Sequence, residues 1–175
     1  AEGFEAGGHN GKEETTTLVL IPMIRQVTDL PLIAAGGIAT GRAMAAVMVL
    51  GADGVQIGTR FVTSEESSAH PQFKQAVIDA GDGDTLLTMK SLVAVRLLRN
   101  EFFRKVHEIE RSGASAEAMQ ELLGKGRAKL GMFEGNLTEG ELEIGQASAL
   151  IREIKPAGKI VEEIISEWKN TFLSL

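Results

Sequence analysis

The chain has 175 residues, 43% of them apolar, and a formal charge of −6; this suffices for one packed domain or part of a larger one and is the wrong sign for a nucleic-acid groove. No apolar run reaches the ~18 residues of a membrane-spanning helix, and the acidic, glycine-rich start is unlike a signal peptide, so a cytoplasmic protein with neither nucleic acid nor membrane as partner is expected. Cysteine is absent, which excludes disulfides, thiolate catalysis and Cys-zinc sites, and no other residues show metal-ligand spacing.

The chain opens on Ala1-Glu2-Gly3-Phe4-Glu5-Ala6-Gly7-Gly8-His9-Asn10-Gly11, a strand stub at residues 1–3 followed by a histidine among glycines. Thr15 to Leu20 reads as a turn, with a helix from about Pro22, where proline suits the first position, to Val27. Pro31-Leu32-Ile33-Ala34-Ala35 reads as a parallel strand buried on both faces, ended by Gly36-Gly37. Thr40 is an N-cap candidate for a helix carrying Ala43, Met44, Val47 and Met48 and stopped at Gly51. Asp53-Gly54 turns the chain into a second strand, Val55 to Thr59, completing a βαβ unit.

From Ser64 onward the pattern is mostly helical. Pro71 starts a helix running to about Ala80, with His70 before it as a cap, and Gly81 to Asp84 forms a turn. A long helical stripe of Val95, Leu98, Phe102, Val106 and Ile109 is assigned to Leu92–Glu110. A short helix follows at Ala116–Leu123, then a glycine-rich irregular stretch over 124–145. Two amphipathic helices, Gln146–Ile154 and Ala157–Phe172, close the chain.

Alternating strands and helices give an α/β fold, yet the strands are too few to close a βα-barrel and would leave open edges. The expected architecture is therefore the C-terminal part of a TIM (β/α)8 barrel with an added helical domain, the N-terminal half of the same polypeptide being missing; a small open α/β domain is the alternative. The division runs 1–80 for the last βα units, 81–145 for the helical substrate-pocket domain and 146–175 for helices packing back on the barrel.

In such barrels phosphates bind at loops after late strands, near a helix N-terminus. Gly36-Gly37-Ile38 and Gln56-Ile57-Gly58-Thr59 end successive strands, so their N–H groups and a helix dipole would face an anion, with Arg60 as a source of charge; the same glycines also serve simple tight turns. His9 is the candidate proton carrier, or else a backbone partner in its loop. Glu5, four residues earlier, either orients His9 or holds backbone. Lys12 either attracts an anionic substrate or is solvated, and His107 is read as solvated. The methionines, Phe102, Phe103 and Trp168 are read as packing.

Glu5-Ala6-Gly7-Gly8-His9, then Ala34-Ala35-Gly36-Gly37-Ile38, then Gly51-Ala52-Asp53-Gly54-Val55-Gln56-Ile57-Gly58-Thr59-Arg60-Phe61 resemble the nitronate monooxygenase family, formerly the 2-nitropropane dioxygenases. The flavin-dependent enoyl-acyl-carrier-protein reductases share these motifs. The resemblance implies an FMN-binding βα-barrel. It implies flavin contacts at Glu2, Gly7, Gly8, Gly36 and Gly37, a phosphate loop at Gln56, Ile57, Gly58 and Thr59, and His9 as the catalytic residue. Gln146, after Gly145, would line the substrate pocket. Glu2 departs from the Gln of many monooxygenase members and matches reductase-like ones.

The first functional expectation is an FMN-dependent nitronate monooxygenase that uses O2 to convert alkyl nitronates to carbonyl compounds and nitrite. The alternative is an FMN-dependent enoyl-acyl-carrier-protein reductase using NAD(P)H. A third is an inactive flavin- or phosphate-binding fragment, and this chain alone is expected to be inactive. Partners are a small-molecule substrate, O2 and the missing half; homodimer formation is left open.

Overall fold

The computed structural model describes residues 1–174; residue 175, the last of the third expected unit, lies outside them. Strand β1 (Gly8–His9) is followed by α1 (Thr17–Arg25), β2 (Ile33–Ala35), α2 (Gly41–Val49), β3 (Gly54–Gln56), α3 (Thr59–Val62) and α4 (Pro71–Asp79). Then come β4 (Thr85–Thr88), β5 (Val95–Leu98), α5 (Glu101–Arg111), α6 (Ala116–Leu123), a π-turn at Lys129–Phe133, a 3-10 turn at Gln146–Leu150, and α7 (Ala157–Leu173).

The βαβ unit is present. Strands β2 and β3 are parallel, with Ala34 opposite Val55, and the stub at the start of the chain adds a parallel bridge between Glu2 and Ala35. Helix α2 between them starts where expected, because Thr40 Oγ1 accepts the Ala43 N–H at 3.1 Å. Ile21, Leu32, Ala34, Ile38, Val47 and Ala52 form the core of this unit. Leu32 and Ala34 face it while Ile33 is 46% exposed, so β2 is not buried on both faces as the apolar run implied.

Helix α1 begins five residues before the expected start and runs through Pro22. Its cap comes from a distant residue: the Glu5 carboxylate accepts the Thr17 N–H at 3.0 Å and the Thr17 hydroxyl at 3.1 Å. A carboxylate there also suits the positive helix end. The carbonyl that Pro22 leaves without a helical donor belongs to Leu18, on the exposed face.

The largest difference lies at Leu92–Glu110. Its first part is not helical: β4 and β5 form an antiparallel hairpin, with Leu86 opposite Leu97, and β1 pairs along the other edge of β5, with Gly8 opposite Arg96. All four β5 residues are buried. A strand covered on both faces shows no period-two alternation, and its apolar residues merged with the stripe of the following helix. Asn100 separates the two, its Oδ1 accepting the Phe103 N–H at 2.8 Å. The middle unit thus holds a sheet as well as helices. The hairpin, α5 and α6 share a core of Met89, Val95, Leu97, Phe102, Phe103, Val106 and Met119.

A third core, of Phe73, Val77, Leu98, Leu142, Ile144 and Ile151, joins α4 to the back of the hairpin. Helix α4 is capped by His70, whose Nδ1 accepts the Gln72 N–H at 3.2 Å. The expected helix at Gln146–Ile154 is only a 3-10 turn, closed by Ile151 N–H to Ser148 O at 2.9 Å. Helix α7 packs on α2, with the Gly41 Cα against the α7 backbone at Ile164 and Trp168.

Asp53, read as a turn residue, ties the βαβ unit together. Its carboxylate accepts the Leu32 N–H at 2.8 Å and pairs with Arg25 at 2.6 Å. The Leu32 N–H, then Arg25, hold its pKa below the usual value of 3.8. A lowered carboxyl pKa contributes stability above the unfolded-state value and loses it as pH falls through the folded-state value. Asp53→Asn should lower the melting temperature at pH 7, and the deficit should shrink as pH falls below about 4; thermal unfolding across that range checks this, and a pH-independent deficit would contradict it.

Candidate functional site

The strand ends and the opening loop enclose a cleft of about 220 Å³. Glu2, Gly7, Gly36, Gly37, Gln56, Gly58 and Thr59, all singled out in the sequence, line it. Gly8 and Ile57 do not. Gly8 lies beneath Glu143, whose Oε2 is 2.7 Å from where a Gly8 Cβ would stand. Ile57 packs on the βαβ core. Gln146 is exposed and outside the lining; its N–H donates to Glu5 O at 2.9 Å, and the next residue, Ala147, faces the cleft instead.

Two glycines at the end of β2 shape the floor. Gly36 and Gly37 have φ of +92° and +71°, conformations that L-residues with a Cβ rarely adopt. A Cβ on Gly36 would also come within 2.7 Å of Gly3 O. Gly58 differs: its φ is −99°, and a Cβ there would meet no protein atom within 4 Å. Gly58 is itself part of the cleft lining. Among the described residues no protein acceptor takes the N–H groups of Gly37, Gly58 or Thr59.

Two groups close to the cleft in sequence do not serve it. The N-terminus of α2 does not serve the cleft, because Glu167 of α7 already fills it: the Gly41 N–H donates to Glu167 Oε2 at 2.7 Å. Arg60 supplies no charge to the cleft either. It is buried, donating to Thr63 Oγ1 at 2.7 Å and Glu153 O at 3.2 Å; burial lowers its basicity, against the pull of Glu153 and Glu163. Thr59 does reach the site, its Oγ1 accepting the Gly145 N–H at 3.1 Å.

His9 opens on a neighbouring hollow of about 280 Å³ rather than on the cleft itself. Met89, Leu92, Val93, Val95 and Leu123 give it apolar walls, and Gln120, Arg127 and Glu141 are its other polar residues. Asn10 stiffens the loop beside His9, its Nδ2 donating to Ala6 O and Gly8 O at 3.0 Å each. Glu5 does not orient His9, being engaged by Thr17. Lys12 is exposed and lines neither space.

Sequence reasoning missed Glu143, Ile144 and Met132, which also line the cleft, and Glu141. The glycines around this segment make it read as irregular. Its Glu141-Leu142-Glu143-Ile144 alternation was the available signal: Leu142 and Ile144 are 2% exposed, and Glu143 bridges to Leu97 on β5. Two carboxylates therefore share one face. Burial, then the Glu143 charge, raises the Glu141 pKa above its usual 4.5, with His9 and Arg127 opposing. Among the described residues no basic side chain lines the cleft, where the charged groups are Glu2 and Glu143.

A profile of the nitronate monooxygenase family matches residues 1–167. A probable nitronate monooxygenase of Staphylococcus saprophyticus is 33% identical over 95% of this chain and 49% of its own length. One from Staphylococcus aureus is 36% identical over the same shares. Among solved structures, FabK from Thermotoga maritima aligns with a TM-score of 0.92 and 43% identity over 99% of this chain and 55% of its own. A nitroalkane oxidase from Streptomyces ansochromogenes aligns at 0.81 and 32%, over 99% and 52%. The chain spans about half the length of these relatives and has the α/β fold of part of a βα-barrel.

The glycine geometry separates folding from binding. Gly36→Ala should cost about 1–3 kcal/mol of stability through backbone strain and the Gly3 contact. Gly58→Ala should change stability by less than about 0.5 kcal/mol while adding a methyl group to the cleft lining. Denaturant unfolding of the two variants checks this; equal losses would contradict it.

Proposed function

The chain belongs to the nitronate monooxygenase family, and on that premise we propose that the complete protein is a flavin-dependent oxidoreductase whose FMN phosphate end occupies the Gly37–Thr59 cleft. The residues present fit such a group. Unclaimed N–H donors at Gly37, Gly58 and Thr59 suit a phosphate, and Gly58, in the cleft lining, has no protein atom within 4 Å of its Cβ position, which leaves open space beside it. The cleft is smaller than the ~300–1,000 Å³ of a typical ligand pocket, which accords with further walls contributed by the rest of a longer polypeptide. FMN supplies the hydride and electron transfer that these side chains cannot perform.

The chain's own residues have narrower tasks. Gly36 and Gly37 keep the floor low enough for close approach. Met132, Ile144 and Ala147 give the cleft an apolar side. His9, beside the cleft, holds the substrate or moves a proton at its reacting carbon. The apolar wall of the adjoining hollow takes the substrate's uncharged part.

Of the two activities, reduction of an enoyl thioester is the better fit. The observation that carries it is charge. Glu2, Glu141 and Glu143 line the two spaces, while their one basic side chain besides His9, Arg127, is committed to the carbonyls of Leu122, Leu123 and Glu139. In the hollow beside His9 an anionic nitronate meets the Glu141 carboxylate with no uncommitted cation but His9 itself and no array of unclaimed backbone N–H groups such as the phosphate end has; the enoyl thioester and the nicotinamide ring of NAD(P)H bring uncharged reacting ends. The 43% identity to FabK accords with this choice. Nitronate oxidation with O2 is the second reading, favoured by the family profile and by the likeness to the nitroalkane oxidase, and it requires a cation from elsewhere in the complete protein.

Complete protein loaded with FMN should consume NADH in the presence of a crotonyl thioester and release little nitrite from propionate-3-nitronate. Its Gly58→Ala variant should bind FMN at least about tenfold more weakly, and His9→Gln should lower kcat/KM by about 10²–10⁴-fold. Nitrite release without thioester-dependent NADH consumption would overturn the reductase assignment in favour of the monooxygenase. Failure to bind flavin would overturn both.

A further inference from the structure

We propose that Asn10 is the positioning residue of His9: its carboxamide and its own N–H fix the peptide groups on either side of the histidine and so set where the imidazole stands relative to the flavin cleft. This rests on the reading of His9 as the group that handles substrate.

Close packing creates the need. Both residues before His9 are glycines for steric reasons. A Cβ on Gly7 would run into the backbone at Ile144, and one on Gly8, whose φ is +79°, would come within 2.7 Å of the Glu143 carboxylate. Two glycines in succession are also the most freely rotating pair a chain can contain. Strand β1 is only two residues long, and Gly11 to Glu14 beyond it are exposed. Without a further restraint the histidine would hang from a flexible joint at the end of a short strand.

Asn10 removes that freedom at three points. Its Nδ2 donates to Gly8 O at 3.0 Å, which holds the peptide group entering His9. Its backbone N–H, part of the peptide group leaving His9, donates to Ala94 O at 2.8 Å. Peptide groups are planar. With both held, the φ and ψ of His9 and the direction of its Cα–Cβ bond are held too, and only the side-chain torsions stay free. The other Nδ2 hydrogen bond, to Ala6 O at 3.0 Å, spans the glycine pair. Ala6 lines the flavin cleft and His9 the adjoining hollow, so one carboxamide joins the two compartments. Both acceptors are carbonyls, which an aspartate of the same shape could not satisfy. A histidine that acts on a substrate beside a cofactor needs this fixed spacing, because a displacement of about 1 Å costs on the order of a hundredfold in rate.

The test uses the complete protein with FMN bound and compares Asn10→Ala, Asn10→Asp and His9→Gln. Carbon-13 at histidine Cε1 reports the His9 ring by NMR, as the signal that His9→Gln lacks. Wild type should give one narrow His9 signal, and both Asn10 variants should shift it and broaden or split it. Both variants should lower kcat by about 10–100-fold, while KM and FMN affinity change by less than about threefold. Because the effect runs through His9, adding Asn10→Ala to His9→Gln should lower kcat by less than about twofold more, whereas a merely structural residue would cost the same in both backgrounds. A His9 signal unchanged in both Asn10 variants overturns the proposal. So does an Asn10→Ala loss that persists in full beside His9→Gln. Full activity of His9→Gln would instead overturn the reading of His9; the ring signal needs no substrate and then decides the positioning by itself.

Discussion

The loop from Phe4 to Gly8 is held from both sides, and both halves of the site depend on that grip. From one side the Arg96 guanidinium donates to Phe4 O through Nε at 3.0 Å and Nη2 at 2.8 Å, with the Phe4 ring over its face. From the other, Thr17 donates to the Glu5 carboxylate and Gln146 donates to Glu5 O. Arg96 is 1% exposed, and its hydrogen-bond acceptors are uncharged. Burial makes its charged form less favourable, with Glu5 and Glu14 opposing. A guanidinium in that position is costly unless every donor finds an acceptor, so the Phe4 carbonyl can move little without leaving a buried charge unsatisfied. One loop thereby fixes the wall of the cleft at Gly7 and delivers His9 to the adjoining hollow.

The parts of the molecule legible in the sequence were those whose signals are local. Thr40, His70 and Pro71 announce helix starts that the structure contains, because a cap and its helix are contiguous in the chain. The glycine pair after β2 and the single glycine after β3 mark where backbone borders a ligand-sized space, and most of the residues around them do line it. The missed features are non-local. Helix α1 starts at Thr17 only because Glu5 arrives from another loop. The positive end of α2 is taken by Glu167, more than a hundred residues away. Arg60, next to the cleft in sequence, turns inward to Thr63 and Glu153. Strand β5 was hidden because burial on both faces erases alternation, and Glu141-Leu142-Glu143-Ile144, which does alternate, was obscured by the glycines around it.

The site that results has two compartments. The cleft presents bare N–H groups at Gly37, Gly58 and Thr59 beside the Glu2 and Glu143 carboxylates, with no side-chain cation among the described residues; the adjoining hollow holds His9, Glu141 and the committed Arg127. Donors made of backbone hold an anion through fixed geometry, without a flexible side chain to order. On the proposed function, the Glu141 carboxylate beside His9 favours substrates whose reacting end is uncharged. A shared fold can accommodate both oxidation and reduction because the cofactor carries the hard chemistry; which reaction proceeds then depends on the substrates that the surrounding charges admit.

The most direct test of this account is a crystal structure of the complete protein with its flavin bound. The account predicts FMN phosphate oxygens within about 2.7–3.2 Å of the N–H groups of Gly37, Gly58 and Thr59, and no side-chain cation from this chain in contact with them. A phosphate bound elsewhere, with those three N–H groups facing solvent, would contradict it.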